Sequence, residues 1–172
     1  MKRFVLVICL FMLVCGISQV SAQSQGLEKG DKAPEITLAN QRGETVALSS
    51  LKGRFVLIDF WATWCAPCIN EQPELAKLYR KYKNSRFSNG KGFEIYGVSL
   101  DAKKEVWENG INKMKINWIQ VSDLKFWKSP VAKTYNIQAL PFNVLIYGNG
   151  IILAKNLHGI ELENEIAKFL IK

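Results

Sequence analysis

A chain of 172 residues has the length of one domain, with no internal repeat and no composition shift that would mark a second. Its net charge of +8 comes from lysines scattered through 77–91 and 103–115 with no run of five or six, so they read as solvated helix faces and a nucleic-acid partner is excluded. The four cysteines are too few, and two of them too close to the N-terminus, for a disulfide-stapled fold.

The chain begins with Lys2 and Arg3, the apolar run Phe4 to Cys15 and the small-residue ending Val20-Ser21-Ala22, the three regions of a secretory signal over 1–22. The apolar run is short for a membrane span, which needs about 20 residues. Lipid attachment at Cys9 or Cys15 is the weaker reading, because neither cysteine is preceded by the small residues such processing needs. Cleavage before Gln23 removes Cys9 and Cys15, lowers the net charge from +8 to +6 with the loss of Lys2 and Arg3, and leaves Cys65 and Cys68 as the remaining pair. Residues 23–32 read as a flexible lead-in and 33–172 as the folded domain.

Ile36 and Leu38, then Val46 and Leu48 after the turn-like Asn40-Gln41-Arg42-Gly43, alternate as two short strands of a hairpin. Ser49 to Gly53 is a one-turn connection. Phe55 to Ile58 followed by Phe60 and Trp61 is an apolar run broken only by Asp59, the pattern of a strand covered on both faces. It opens into Trp64-Cys65-Ala66-Pro67-Cys68, and Pro67 suits the first turn of a helix because it has no N–H to leave unpaired there. Cys65 is therefore expected at a helix N-terminus, where the dipole and free backbone N–H groups stabilise its thiolate. Cys68 lies a turn deeper and within reach for a disulfide.

Leu75, Leu78, Tyr79 and Tyr82 have the spacing of one helix face, with a kink expected at Pro73. Residues 84–92 are turn-rich and read as a loop without assigned function. Phe93 to Leu100 is a second buried strand. Val106, Trp107, Gly110, Ile111 and Met114 mark the apolar face of the next helix, and Trp118 to Val121 is a third core strand. A short helix is expected from Ser129-Pro130 to Lys133. Phe142 to Tyr147 and Ile151 to Lys155 flank Gly148-Asn149-Gly150 as an antiparallel hairpin, and Ile160 to Ile171 is a closing amphipathic helix. Trp107, Trp118 and Trp127 read as core or core edge. His158, the only histidine, has no ligand-type companion nearby in sequence and reads as a loop residue; no metal site is expected.

The stretch WCAPC after an apolar strand, with Asp59 six residues before Cys65, resembles the thioredoxin superfamily. The longer segments GDKAPEITL, LSSLKGRFVLIDFWATWCAPC, INEQPELAKLY, GFEIYGVSLD and VAKTYNIQALPFNVLI are similar to its secreted TlpA/ResA-like branch, over about residues 29 to 170. The resemblance implies an α/β thioredoxin fold, a central mixed sheet flanked by helices, with an extra N-terminal β-hairpin. It also implies a cis Leu140-Pro141 bond facing the cysteines and presenting backbone to a substrate chain. Asp59 corresponds to the buried acid that takes the proton of the second cysteine; its bland alternative is an aspartate satisfied by backbone donors. Glu71 corresponds to an acid that ResA-like members keep near the cysteines, or merely complements the helix dipole. Phe142 and Tyr147 depart from the residues common in relatives, which leaves the partner preference open.

These residues point to an exported thiol-disulfide oxidoreductase. Cys65 attacks a partner disulfide and Cys68 resolves the mixed disulfide, with Asp59 and Glu71 as further catalytic candidates and Trp64, Ala66, Pro67, Leu140 and Pro141 contacting substrate. The resemblance implies a periplasmic monomer without cofactor, envelope protein disulfides as substrates, apocytochrome c haem-site cysteines among them, and a membrane reductase as electron donor. A disulfide-donating oxidase and a copper(I) carrier using the same sulfurs are the alternatives.

Overall fold

A computed structural model describes residues 26–171; the expected signal sequence, with Cys9 and Cys15, lies outside them. The expected α/β thioredoxin fold is present. A seven-stranded mixed sheet has the order β2-β1-β7-β6-β3-β8-β9, built from β1 (Thr37–Asn40), β2 (Thr45–Ala47), β3 (Phe55–Trp61), β6 (Phe93–Ser99), β7 (Ile119–Ser122), β8 (Phe142–Ile146) and β9 (Ile152–Lys155). Helices α1 (Ala66–Tyr82), α2 (Lys104–Met114), α3 (Pro130–Thr134) and α4 (Gly159–Ala167) complete the chain. The β1–β2 hairpin is the extra N-terminal element, joined antiparallel to β7. Among the described residues no helix is long and apolar enough to cross a membrane.

Every residue of β3 and of β6 is buried, as mainly apolar strands in the middle of a two-sided sheet require. β3 runs parallel to β6 and antiparallel to β8. Because strand side chains alternate, Leu57, Asp59 and Trp61 face one side and Ile58 and Phe60 the other. Phe60 packs on Tyr135, just after α3, with ring centroids 5.1 Å apart. Asp59 faces α1, where Cys68, Gln72, Leu75, Leu78 and Tyr82 form the buried stripe. The helix continues through Pro73 as one element, so the expected kink does not divide it.

Several sequence expectations are corrected. Residues 84–92 are not a featureless loop: they form a small hairpin, β4 (Arg86–Phe87) and β5 (Gly90–Lys91). Its Phe87 is buried and stacks on Phe55 with centroids 4.8 Å apart, while Leu170 bridges to it from the C-terminal tail. Val106 is exposed, so α2 buries only Trp107 and Ile111 fully. The last helix ends at Ala167, and Ile160 at its start faces solvent. The latter part of the expected flexible lead-in, residues 23–32, is tied down: Gly30 N–H donates to the Ile152 carbonyl at 2.9 Å and Ile152 N–H donates to the Asp31 carbonyl at 2.8 Å.

At the pole where β3 begins, three backbones meet. The Gly53 N–H donates to the Gly148 carbonyl at 2.8 Å, Lys91 donates to the Gly53 carbonyl at 2.7 Å, and Gly148 donates to the Asn89 carbonyl at 3.2 Å. A Cβ on Gly148 would stand 2.5 Å from the Asn89 oxygen, and one on Gly90 would stand 2.8 Å from the Gly53 oxygen, so glycine is required for this approach.

Phe87 is the buried aromatic anchor of the β4–β5 hairpin, beside the backbone hydrogen bonds that also hold it. Phe87→Ala is expected to destabilise the protein by about 3 kcal/mol, the cost of deleting a buried aromatic ring. Urea unfolding checks it; a loss below about 1 kcal/mol would mean the hairpin merely rests on the surface.

Candidate functional site

The site stands at the opposite pole, where β3 leaves the sheet. The connection to α1 is pinned by Asp101, a buried carboxylate just beyond β6. It accepts the Thr63 hydroxyl at 2.6 Å, the Ser99 hydroxyl at 2.8 Å and the Thr63 N–H at 3.2 and 3.3 Å. Cys65 N–H donates to the Ala62 carbonyl at 3.1 Å. These bonds fix the direction in which the chain enters the helix.

Cys65 is the N-cap of α1, and Pro67 occupies its first turn as expected. The two cysteines form a disulfide with Cα atoms 5.2 Å apart, so the structure is that of the oxidised form. The Cys68 N–H donates to the Cys65 sulfur at 3.2 Å. Cys65 is 5% exposed against 1% for Cys68, while Trp64, Ala66 and Pro67 around it face solvent. The less buried of the two cysteines is therefore the one at the positive end of the helix.

Asp59 is 2% exposed, and its Oδ2 has no hydrogen-bond partner among the described residues. Burial pushes its carboxyl up to about 7, the negative charge of Glu71 adds to the rise, and the neighbouring Gln72 amide opposes it. Gln72 is one helical turn from Cys68 on the buried stripe of α1, so the carboxyl lies under the cysteine helix. A backbone-satisfied aspartate is not what the structure contains.

Glu71 is in the second turn of α1, and no acid occupies the first, which removes the simple helix-dipole role. Its carboxylate meets His158 instead, with Oε1 2.8 Å from Nδ1, while Nε2 of the imidazole lies 3.2 Å from Asn156 Oδ1. The sequence gives no sign of this pair, since the residues are 87 positions apart. Asn143 organises the approach. It lies opposite Asp59 in the β3–β8 register, and its side chain both donates to the Leu157 carbonyl at 2.6 Å and accepts the Leu157 N–H at 3.1 Å. His158 is thus delivered to Glu71 from the loop before α4.

The Leu140–Pro141 peptide is cis, as the resemblance implies. Pairing of Phe142 with Phe60 sets Pro141 at the end of the sheet from which the cysteines emerge. The Leu140 backbone makes no hydrogen bond among the described residues, leaving its groups free for a strand-like partner. Trp127, expected at the core edge, is 39% exposed and stands with Phe126 against Trp64.

Comparison with known proteins bears directly on this arrangement. Residues 29–155 match the AhpC/TSA family. The chain is 30% identical over 146 residues to the thiol-disulfide oxidoreductase ResA of Bacillus subtilis, covering 82% of this chain and 76% of that protein. It is 37% identical over 132 residues to the thioredoxin-like protein YneN of the same organism, covering 77% of this chain and 73% of the relative. The thioredoxin domain of a thiol-disulfide oxidoreductase from Bacteroides vulgatus superposes with a TM-score of 0.76 at 38% identity, covering 85% of this chain and 100% of that domain.

Proposed function

The chain belongs to the AhpC/TSA family and is a thiol-disulfide oxidoreductase, and from that premise we propose that it works outside the cytoplasm as a reductant of protein disulfides. The observation that carries the mechanism is the Cys68 N–H directed at the Cys65 sulfur, 3.2 Å away, at the N-terminus of α1. In the reduced protein this donor and the helix dipole stabilise a Cys65 thiolate.

That thiolate attacks one sulfur of a substrate disulfide. A bond forms from Cys65 to that sulfur, the substrate S–S bond breaks, and the departing thiolate takes a proton from solvent. Cys68 then loses its proton to Asp59, whose carboxyl is close to half ionised near pH 7, and attacks Cys65. The Cys65–Cys68 disulfide forms, the mixed disulfide breaks, and the second substrate thiol leaves. Two electrons have passed from the protein dithiol to the substrate. Trp64, Ala66 and Pro67 border the attacked sulfur, and the Leu140 backbone beside Pro141 pairs with the substrate chain. Glu71 holds negative charge near Asp59 and keeps its proton affinity high.

A secretory signal over 1–22 would put this chemistry in the periplasm, acting as a monomer on envelope proteins such as apocytochrome c. A membrane reductase would return the electrons. Equilibration of the mature protein with defined thiol-disulfide mixtures measures the decisive quantity. A reductant is expected toward the −270 mV end of the range found for such pairs; a value near about −120 mV would make the protein a disulfide donor and overturn the proposed direction.

A further inference from the structure

Trp64, which borders the attacked sulfur, is continued outward by two further exposed rings, Phe126 and Trp127, that disulfide exchange by itself does not use. Trp64, one residue before Cys65, is 46% exposed, Phe126 41% and Trp127 39%. Trp64 meets Phe126 edge-on with centroids 5.1 Å apart and Trp127 at 6.0 Å, and Phe126 and Trp127 are 6.1 Å from each other. Three large rings thus touch one another on the outside of the molecule, where a chain folding for its own stability would cover them. Their backbone is held at a cost: Phe126 has φ +55° and Leu124 φ +57°, a region that bulky side chains seldom occupy. An apolar depression lined by Ala102, Leu124 and Phe126 opens at their edge, rimmed by Lys125 and Lys128. Both lysines are exposed, and neither forms an ion pair among the described residues. Asp123, the nearby acid, is committed to the Ser129 hydroxyl at 2.8 Å and the Lys125 N–H at 3.1 Å.

We infer that Trp64, Phe126 and Trp127, with Lys125 and Lys128 at their rim, dock the stretch of substrate polypeptide flanking its disulfide, selecting an apolar or aromatic side chain accompanied by carboxylates. The inference rests on the proposed attack of Cys65 on protein disulfides and names the substrate class for that site. The surface is continuous with the reacting sulfur through Trp64, so a chain joined to Cys65 passes over it. Rings of this kind supply apolar contact with little side-chain entropy to lose, and the free ammonium groups supply charge complementarity. A second copy of the protein does not suit the surface. A two-fold contact would set the lysines of one copy against those of the other and cover both cysteines.

Two peptides test this, each closed by one disulfide with identical spacing. One carries Phe and two Glu beside the attacked cysteine; the other carries Ser and two Lys. Turnover with dithiothreitol as donor gives kcat/KM for each. The full mature protein is expected to prefer the first peptide about tenfold at low ionic strength, with the preference shrinking in salt as the charge contribution is screened. In Phe126→Gly/Trp127→Ser the ratio is expected to fall toward one. Glycine relieves the positive φ at 126, so this variant should fold, which thermal unfolding verifies. Lys125→Glu/Lys128→Glu, altered only at exposed positions, is expected to lower the ratio independently. Equal rates on the two peptides in the parent, or a ratio unchanged in both variants, would overturn the docking surface while leaving the reductant intact. Reduction of neither peptide would overturn the reductant reading itself.

Discussion

Cys68→Ser is expected to give a protein that consumes one equivalent of substrate disulfide and then stops. The first attack needs only the Cys65 thiolate, and the substitution spares what stabilises it, because the donor at 3.2 Å is the backbone N–H of residue 68. The second attack loses its nucleophile. In the parent that nucleophile is held in the next turn of the same helix, the Cα atoms 5.2 Å apart, so the step is intramolecular. Well-oriented intramolecular groups act at effective concentrations of about 10⁵ M or more, which millimolar external thiol cannot match, so steady-state turnover should fall at least about a thousandfold. Mass spectrometry of the stalled reaction should show one substrate chain attached at Cys65, and Cys65→Ser should show none. Continued turnover by Cys68→Ser near the parent rate would remove the second cysteine from the cycle.

Asp59→Asn is expected to make the oxidised protein more stable at pH 8 and slower at pH 7. The carboxyl titrates at about 7 in the folded protein, chiefly because it is buried, and at about 3.9 in an unfolded chain. Between those values the folded state holds a proton that the unfolded state has lost. Stability therefore declines as pH rises through this window, the reverse of a paired surface carboxylate. Ionising the group in place costs about 4 kcal/mol by pH 8, and asparagine avoids it. Urea unfolding of both proteins from pH 4 to pH 8 should show curves close at the acid end and diverging upward, the variant ahead by about 3 to 4 kcal/mol. Glu94, also raised by burial, is common to both proteins and cancels in the difference. If Asp59 takes the Cys68 proton as proposed, the variant lacks that acceptor, and resolution of the mixed disulfide should lose its dependence on a group titrating near 7. Equal stability of the two at pH 8 would mean the carboxylate is better accommodated than its unpartnered Oδ2 implies.

The elements that positioned the chemistry were legible because each rests on a local rule. Phe55 to Trp61, apolar but for Asp59, has the pattern of a covered strand, Pro67 marks the helix start, and Gly148-Asn149-Gly150 marks the β8–β9 turn. Cis Leu140–Pro141 was readable only through resemblance, since the sequence around it carries no physical signal for that isomer. What escaped is tertiary in origin. Residues 84–92 have turn composition, and it is tertiary contact, the stacking of Phe87 on Phe55 and hydrogen bonds to Gly53, Gly148 and Phe169, that holds them as a hairpin. Trp127 has the side chain of a core residue, yet it sits in the three-residue helical turn Phe126–Lys128, which buries none of its residues. His158 meets Glu71 because Asn143, on a different strand, holds the intervening backbone, a relation that no spacing along the chain encodes.

The meeting of Gly53, Asn89 and Gly148 backbones has a practical corollary for labelling. There is no slack at Gly148: a fluorophore, affinity handle or inserted peptide spliced in there would wedge apart segments that lie far from one another along the chain. The reversal at Gly43, with φ +79° and open space around its Cα, meets no distant segment, and such cargo there would disturb only local hydrogen bonds among Asn40, Arg42 and Glu44.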